Sequence, residues 1–143
     1  MKKITLSTAI GCLLVSGLVM AQKVKSSGVP VAAVNALMQK YPSATKITWE
    51  KEHGNYEANW GGKSGEDMSV AFTPAGVFVE QVEAITISAL PAGVATYIKA
   101  HYKGVKITEA GKVTNAKGTI MYEAEVKGKD LVFDEKGNFL KVD

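Results

Sequence analysis

The chain has one cysteine, two histidines and no arginine among its 143 residues, and each shortage removes a class of function. The cysteine, Cys12, lies within the apolar stretch Ile10 to Met20. Everything after that stretch is therefore without disulfides, thiol chemistry or cysteine-ligated metal. A cysteine carrying lipid would follow the apolar stretch, so its place inside the stretch also argues against a lipoprotein. Without arginine there is no planar fork to clamp a phosphate or carboxylate through two parallel hydrogen bonds. His53 and His101 are isolated, with no partner one helical turn away, whereas a zinc site needs three or four protein ligands. No metal or other cofactor is expected.

Charge is also in short supply. All 17 basic residues are lysines. Two of them, Lys2 and Lys3, belong to a leader, and without those the balance is 15 basic against 14 acidic. So small a surplus gives no electrostatic footprint for nucleic acid. Scattered lysines are strongly hydrated and read as solubility.

What the sequence does hold begins with that leader. Two lysines, a short apolar run and the Val19-Met20-Ala21 boundary are the parts of a secretory signal. The run is too short for a membrane anchor. Residues 1–21 are expected to be removed between Ala21 and Gln22, leaving a periplasmic or secreted protein with no membrane span. Residues 22–28 read as a linker.

The remainder repeats itself. Pro30 and Pro91 lie 61 positions apart, and at the same offset Leu37 meets Ile98, Tyr41 meets Tyr102, Phe72 meets Phe133, Gly76 meets Gly137 and Phe78 meets Phe139. With one residue deleted, Lys46-Ile47-Thr48 meets Lys106-Ile107-Thr108, and after a longer hairpin Tyr56-Glu57-Ala58 meets Tyr122-Glu123-Ala124. Gaps fall only where turns are expected, as they would in two copies of one unit, 29–88 and 89–143. Each copy opens with proline at a helix start. Val34, Leu37, Met38 and Tyr41 then follow helical spacing, as do Val94, Ile98 and Tyr102. Alternating strands come next, in copy one about Ile47 and Trp49, then Tyr56, Ala58 and Trp60, then Met68, Val70 and Phe72, then Val77 to Ile87. In copy two they run Val105 to Thr114, Thr119 to Val126, Lys129 to Asp134 and on to Val142. The fold class is α+β: a tandem duplication of a helix plus a four-stranded antiparallel meander. Period-two alternation gives each sheet an apolar face, carrying Trp49, Tyr56, Trp60, Val70 and Phe72, to receive the helix. One helix covers a small sheet poorly, so the two sheets are expected to join or lie side by side, helices on one face.

The blocks "VPVAAVNALMQKYPSATKITWEKEHGNYEA", "VAFTPAGVFVE", "LPAGVATYIKAHYKGVKITEA" and "MYEAEVKGKDLVFDEKGNFLK" resemble the PepSY-like, β-lactamase-inhibitor-like family of exported Gram-negative proteins. The resemblance spans residues 29–143. It implies a fold like that of the β-lactamase inhibitory protein, whose concave sheet grips an enzyme. The family name records a fold rather than a target, and no functional residues carry over from it.

Catalytic constellations are missing from the pattern. Ser43, Ser64, Ser69 and Ser88 lie in no nucleophile elbow. Ser64, in "GKSG", lacks the glycine spacing and following helix of a phosphate loop. Glu57 with Asp67, or Glu123 with Glu125, could share a sheet face, but paired-carboxylate catalysis also needs a cleft. The chain therefore reads as a non-enzymatic module that binds another exported or envelope protein. The polar sheet face is the expected surface: Thr48, Glu50, Glu57, Asn59 and Ser69 in the first copy, and Lys106, Thr108, Glu123, Glu125 and Val132 in the second. An alternative is a small-ligand or peptide sensor with a pocket at the repeat junction, near Ile85, Ile87 and Leu90.

Overall fold

The computed structural model describes residues 21–143, so the leader lies outside the described residues apart from Ala21. Nine strands and two helices follow in order: β1 (Gln22–Val24), α1 (Val31–Lys40), β2 (Thr48–Glu52), β3 (Asn55–Trp60), β4 (Met68–Phe72), β5 (Phe78–Ala84), α2 (Ala92–His101), β6 (Ala110–Asn115), β7 (Ile120–Val126), β8 (Lys129–Asp134) and β9 (Phe139–Val142). All nine strands form one antiparallel sheet in sequential order. The two sheets left open as joined or adjacent are thus joined, through β5 and β6, from Glu80 opposite Asn115 to Ala84 opposite Gly111.

Both helices pack on the same kind of surface, the apolar side of the strands they precede. Ala33 and Leu37 of α1 are buried against Trp49, Ala58, Val70 and Phe72, with Tyr56, Trp60 and Phe78 half-buried at the margin. Val94 and Ile98 of α2 cover Ala124, Val126, Leu131 and Phe133. The aromatic residues of the alternating strands are therefore core. Within α1 the buried stripe is rotated from the expected one: Met38 is 42% exposed, and the small Ala33 brings the helix close to the sheet instead.

Four boundaries differ from the sequence expectation, the first being the strand expected from Val77 to Ile87, which ends at Ala84, with Ile87–Ala89 forming a 3₁₀ turn. Residues 22–28 are not a linker. Gln22–Val24 pairs with β2, placing Val24 opposite Trp49, and Ser26–Gly28 forms a 3₁₀ turn. Lys46, read as strand, has φ +55, outside the extended region, so β2 starts only at Thr48. In the second half, Val105 and Ile107 turn toward the α2 core, and pairing with β7 is limited to isolated bonds before Ala110. The strand expected from Val105 therefore begins five residues later.

The turns between β4 and β5 and between β8 and β9 lock each helix to its sheet. Gly76 has φ +80, and a Cβ there would lie 2.5 Å from the carbonyl oxygen of Ala32 in the first turn of α1. Gly137, with φ +84, is held likewise against α2: a Cβ there would lie 3.0 Å from the Cα of Gly93. Neither backbone neighbour can rotate away. Gly76→Ala is expected to cost about 2 kcal/mol or more, combining the left-handed penalty with a clash. Gly118→Ala is the comparison: φ is +78, but nothing lies within 4 Å, so only the conformational part is lost. Urea denaturation of the two variants separates the terms. Equal losses would show that the close helix contact carries no energy.

Candidate functional site: an acidic concave sheet face

With both helices on one side, the other face of the sheet is uncovered. Alternation sends Glu50 and Glu52 of β2, Glu57 and Asn59 of β3, Ser69 and Ala71 of β4, Glu80 and Val82 of β5, Gly111 and Val113 of β6, Glu123 and Glu125 of β7 and Asp130 and Val132 of β8 to that face. A flat sheet would leave them in water. Instead Val113 is 1% and Val132 2% exposed, although no helix covers them. The sheet curls around its own open face, and the curl encloses a cleft of about 860 Å³ that reaches from Glu50 on β2 to Asp130 on β8.

Its charge is one-sided. Ten of the fourteen acidic residues line the cleft; among the described residues Lys129 is the one lysine in the lining, and Lys141 stands at its edge, paired with Asp143. Among the described residues the ion pairs are Glu52 with His53, at 3.9 Å, and Lys141 with Asp143, at 2.7 Å. Glu57, Glu80, Glu123 and Asp130 have no such partner.

Enclosure without compensation shifts the carboxyl groups upward. Glu123 is pushed up to about 7, first by burial and then by Asp130, Glu80, Asp143 and Glu57. Glu57 is raised by burial, partly offset by a hydrogen bond with Asn59 and reinforced by Glu52, Glu50 and Glu80. Burial also raises Glu80, with Asp143 repelling it and Lys141 acting the other way. Asp130 sits at the exposed rim and is raised by partial desolvation, then by Glu125 and Asp143. Strands distant in sequence thus share one electrostatic environment.

The surface residues expected from the sequence divide three ways. Glu50, Glu57, Asn59, Ser69, Glu123 and Glu125 line the cleft. Asn59 is buried and accepts a hydrogen bond from the Ser69 hydroxyl. Thr48 and Val132 lie on strands of the same face, paired with Asn59 and Glu123, but do not line the cleft. Lys106 and Thr108 precede β6. Lys106 is exposed, and the Thr108 hydroxyl donates to Glu125 Oε1 at 2.6 Å, tethering that carboxylate at the rim. Glu52, Glu66, Glu80, Glu109, Asp130 and Asp143 complete the acidic lining and were not anticipated. Register could have supplied Asp130, which faces Glu125 across the Lys127-Gly128 turn.

The remaining candidates find structural roles. His53 occupies the β2–β3 turn. His101 stacks on Tyr97 at 4.1 Å and contacts the Tyr97 carbonyl through Nδ1 at 3.0 Å, beside a shallow depression between α2 and the β8–β9 turn. At the junction of the halves the apolar residues diverge: Leu90 packs into the α2 core while Ile87 is 45% exposed. Among the described residues no three acidic or histidine side chains are grouped so as to hold a metal ion, and no helix is long and apolar enough to cross a membrane.

The family profile described as "Putative beta-lactamase-inhibitor-like, PepSY-like" matches residues 63–141, from the loop before β4 into β9. The chain belongs to that family. Among solved structures, a protein from Bacteroides eggerthii described as "putative periplasmic" superposes with a TM-score of 0.66 at 23% identity, covering 80% of this chain and 88% of its own. A BLIP-like protein from Bacteroides fragilis gives a TM-score of 0.57 at 25% identity, covering 78% of this chain and 83% of its own. No curated protein matches the sequence. These likenesses agree with a mixed α+β fold built on an antiparallel sheet.

Proposed function

We propose that this PepSY-like protein is a non-enzymatic, inhibitor-like module of the cell envelope that binds another exported protein in its concave sheet face. One observation carries the reading: a nine-stranded sheet has helices on one face only, and the face left bare is curled into a cleft with a buried floor. The inhibitor-like character of the family and the periplasmic description of the B. eggerthii protein support both the role and the compartment. We further infer that the two halves are copies of one unit. The 61-residue offset that relates Phe72 to Phe133 also relates the bulges beside them and the glycine contacts Gly76–Ala32 and Gly137–Gly93. Duplication widens a contact surface without adding chemistry. A partner of ordinary size would bury about 800 Å² on each side.

Affinity capture from envelope fractions tests the reading, with the exported protein as bait and Glu57→Lys/Glu123→Lys beside it. Circular dichroism confirms that the variant is folded. The expected result is one or more partners held by the native protein and lost by the variant. Retention of the same partners by the folded variant would remove the concave face as the docking surface.

A further inference from the structure

The uncovered face has a shape and a charge, and together they describe its occupant. We propose that the concave face receives a lysine- or arginine-bearing segment of the partner protein, a proposal that rests on the reading of this face as the docking surface.

Three observations support a basic polypeptide. The first is complementarity: ten carboxylates line one cleft in a chain whose overall charge is nearly balanced. The second is that the fold does not satisfy them. Glu57, Glu80 and Glu123 are drawn partly out of water with no lysine within ion-pair distance, which costs stability, and neither the Asn59 hydrogen bond at Glu57 nor Lys141 near Glu80 offsets it in full. A cation arriving from outside would. The third is distribution. The carboxylates run along the cleft from Glu50 through Glu57 and Glu123 to Asp130, and no three are grouped to hold a metal ion. A single ion needs ligands grouped about one point. A row of separated carboxylates matches several ammonium or guanidinium groups spaced along a chain.

The test uses the full exported protein and a fluorescein-labelled octalysine peptide, followed by anisotropy at pH 8 in 50 mM sodium chloride. Glu57→Gln/Glu123→Gln is expected to weaken binding tenfold or more, since it removes two charged acceptors of hydrogen bonds from the peptide's ammonium groups. Glu83→Gln/Glu135→Gln removes the same charge away from the cleft and is expected to weaken it less than threefold. Raising the salt to 300 mM should weaken the native complex severalfold. Equal loss in the two double variants, or no binding at all, overturns the proposal. So does a saturable one-to-one isotherm for calcium chloride alone that is lost in the cleft variant, which would assign the face to an ion. The envelope capture keeps the two readings apart. A partner lost by Glu57→Lys/Glu123→Lys but held unchanged in 500 mM salt leaves the docking face standing and overturns its basic occupant.

Discussion

Glu123→Gln is expected to make the protein more stable at pH 8 by roughly 2–3 kcal/mol while leaving it nearly unchanged at pH 4. The carboxyl group is raised from 4.5 to about 7 in the folded chain, chiefly by burial. Between those two values the folded state holds a proton that the unfolded state has released. Stability is therefore fully present below about pH 4.5, falls as pH rises through the window, and levels off above about pH 7. A shift of this size corresponds to about 3 kcal/mol, at about 1.4 kcal/mol per pK unit, and salt screening of the neighbouring charges lowers it somewhat. Glutamine has the shape of the protonated acid and never pays the penalty. Glu57, Glu80 and Asp130 are raised as well and tilt the native profile the same way. Asp134 opposes them: its hydrogen bonds with Asn138 lower it, so its contribution is lost as pH falls through its depressed value. Urea denaturation at pH 4, 6 and 8 measures the outcome. A native stability that is flat from pH 4 to pH 8, with the variant following it, would show that Glu123 remains hydrated. If the stabilised variant also loses the octalysine peptide, one residue trades stability for binding, as functional sites commonly do.

The concave face also shows how far the sequence could be read. The alternation of Trp49, Ala58, Val70 and Phe72 against Glu50, Glu57, Asn59 and Ser69 sorts the first half into a core face and a polar face, because a period of two has only two sides. The sequence match of Tyr122-Glu123-Ala124 to Tyr56-Glu57-Ala58 carries that sorting to Ala124 and Glu123 in the second half. Curvature is not written in such a pattern. Alternation assigns a side chain to a face but not the distance between faces of remote strands, so the approach of β2 to β8 and the enclosure of Glu123 were illegible. Short elements escaped for another reason. Gln22–Val24 is three residues long, too few for periodicity, and its pairing depends on the neighbouring β2. Lys106 and Thr108 were misplaced because Val105 and Ile107 alternate like a strand while serving the core beneath α2. The same local pattern suits both arrangements, and tertiary packing decides between them.

Phe72→Ala and Phe133→Ala are expected to destabilise the protein by about 3–5 kcal/mol each, and to do so as one cooperative unit. The two rings are 1% and 0% exposed, in the middle of the two helix-covered cores. Each sits at a bulge and meets a second ring edge-on: Phe72 with Phe78 at 6.2 Å and Phe133 with Phe139 at 5.9 Å. Removing either leaves a cavity that the surrounding backbone cannot close, since the β4–β5 and β8–β9 turns are held against the helices by Gly76 and Gly137. The tryptophans make the test of cooperativity direct. Trp49 and Trp60 are the only two in the chain, and both belong to the first core. The halves have separate cores but share a continuous sheet, with β5 paired to β6 over five registered positions. If that pairing couples them, Phe133→Ala must lower the urea midpoint read by tryptophan fluorescence about as far as Phe72→Ala does, although it touches neither indole. If the fluorescence midpoint stays in place for Phe133→Ala while circular dichroism shows a separate early transition, the halves fold independently. The cleft would then be an opening between two modules, free to widen around its partner rather than a rigid cradle formed before binding.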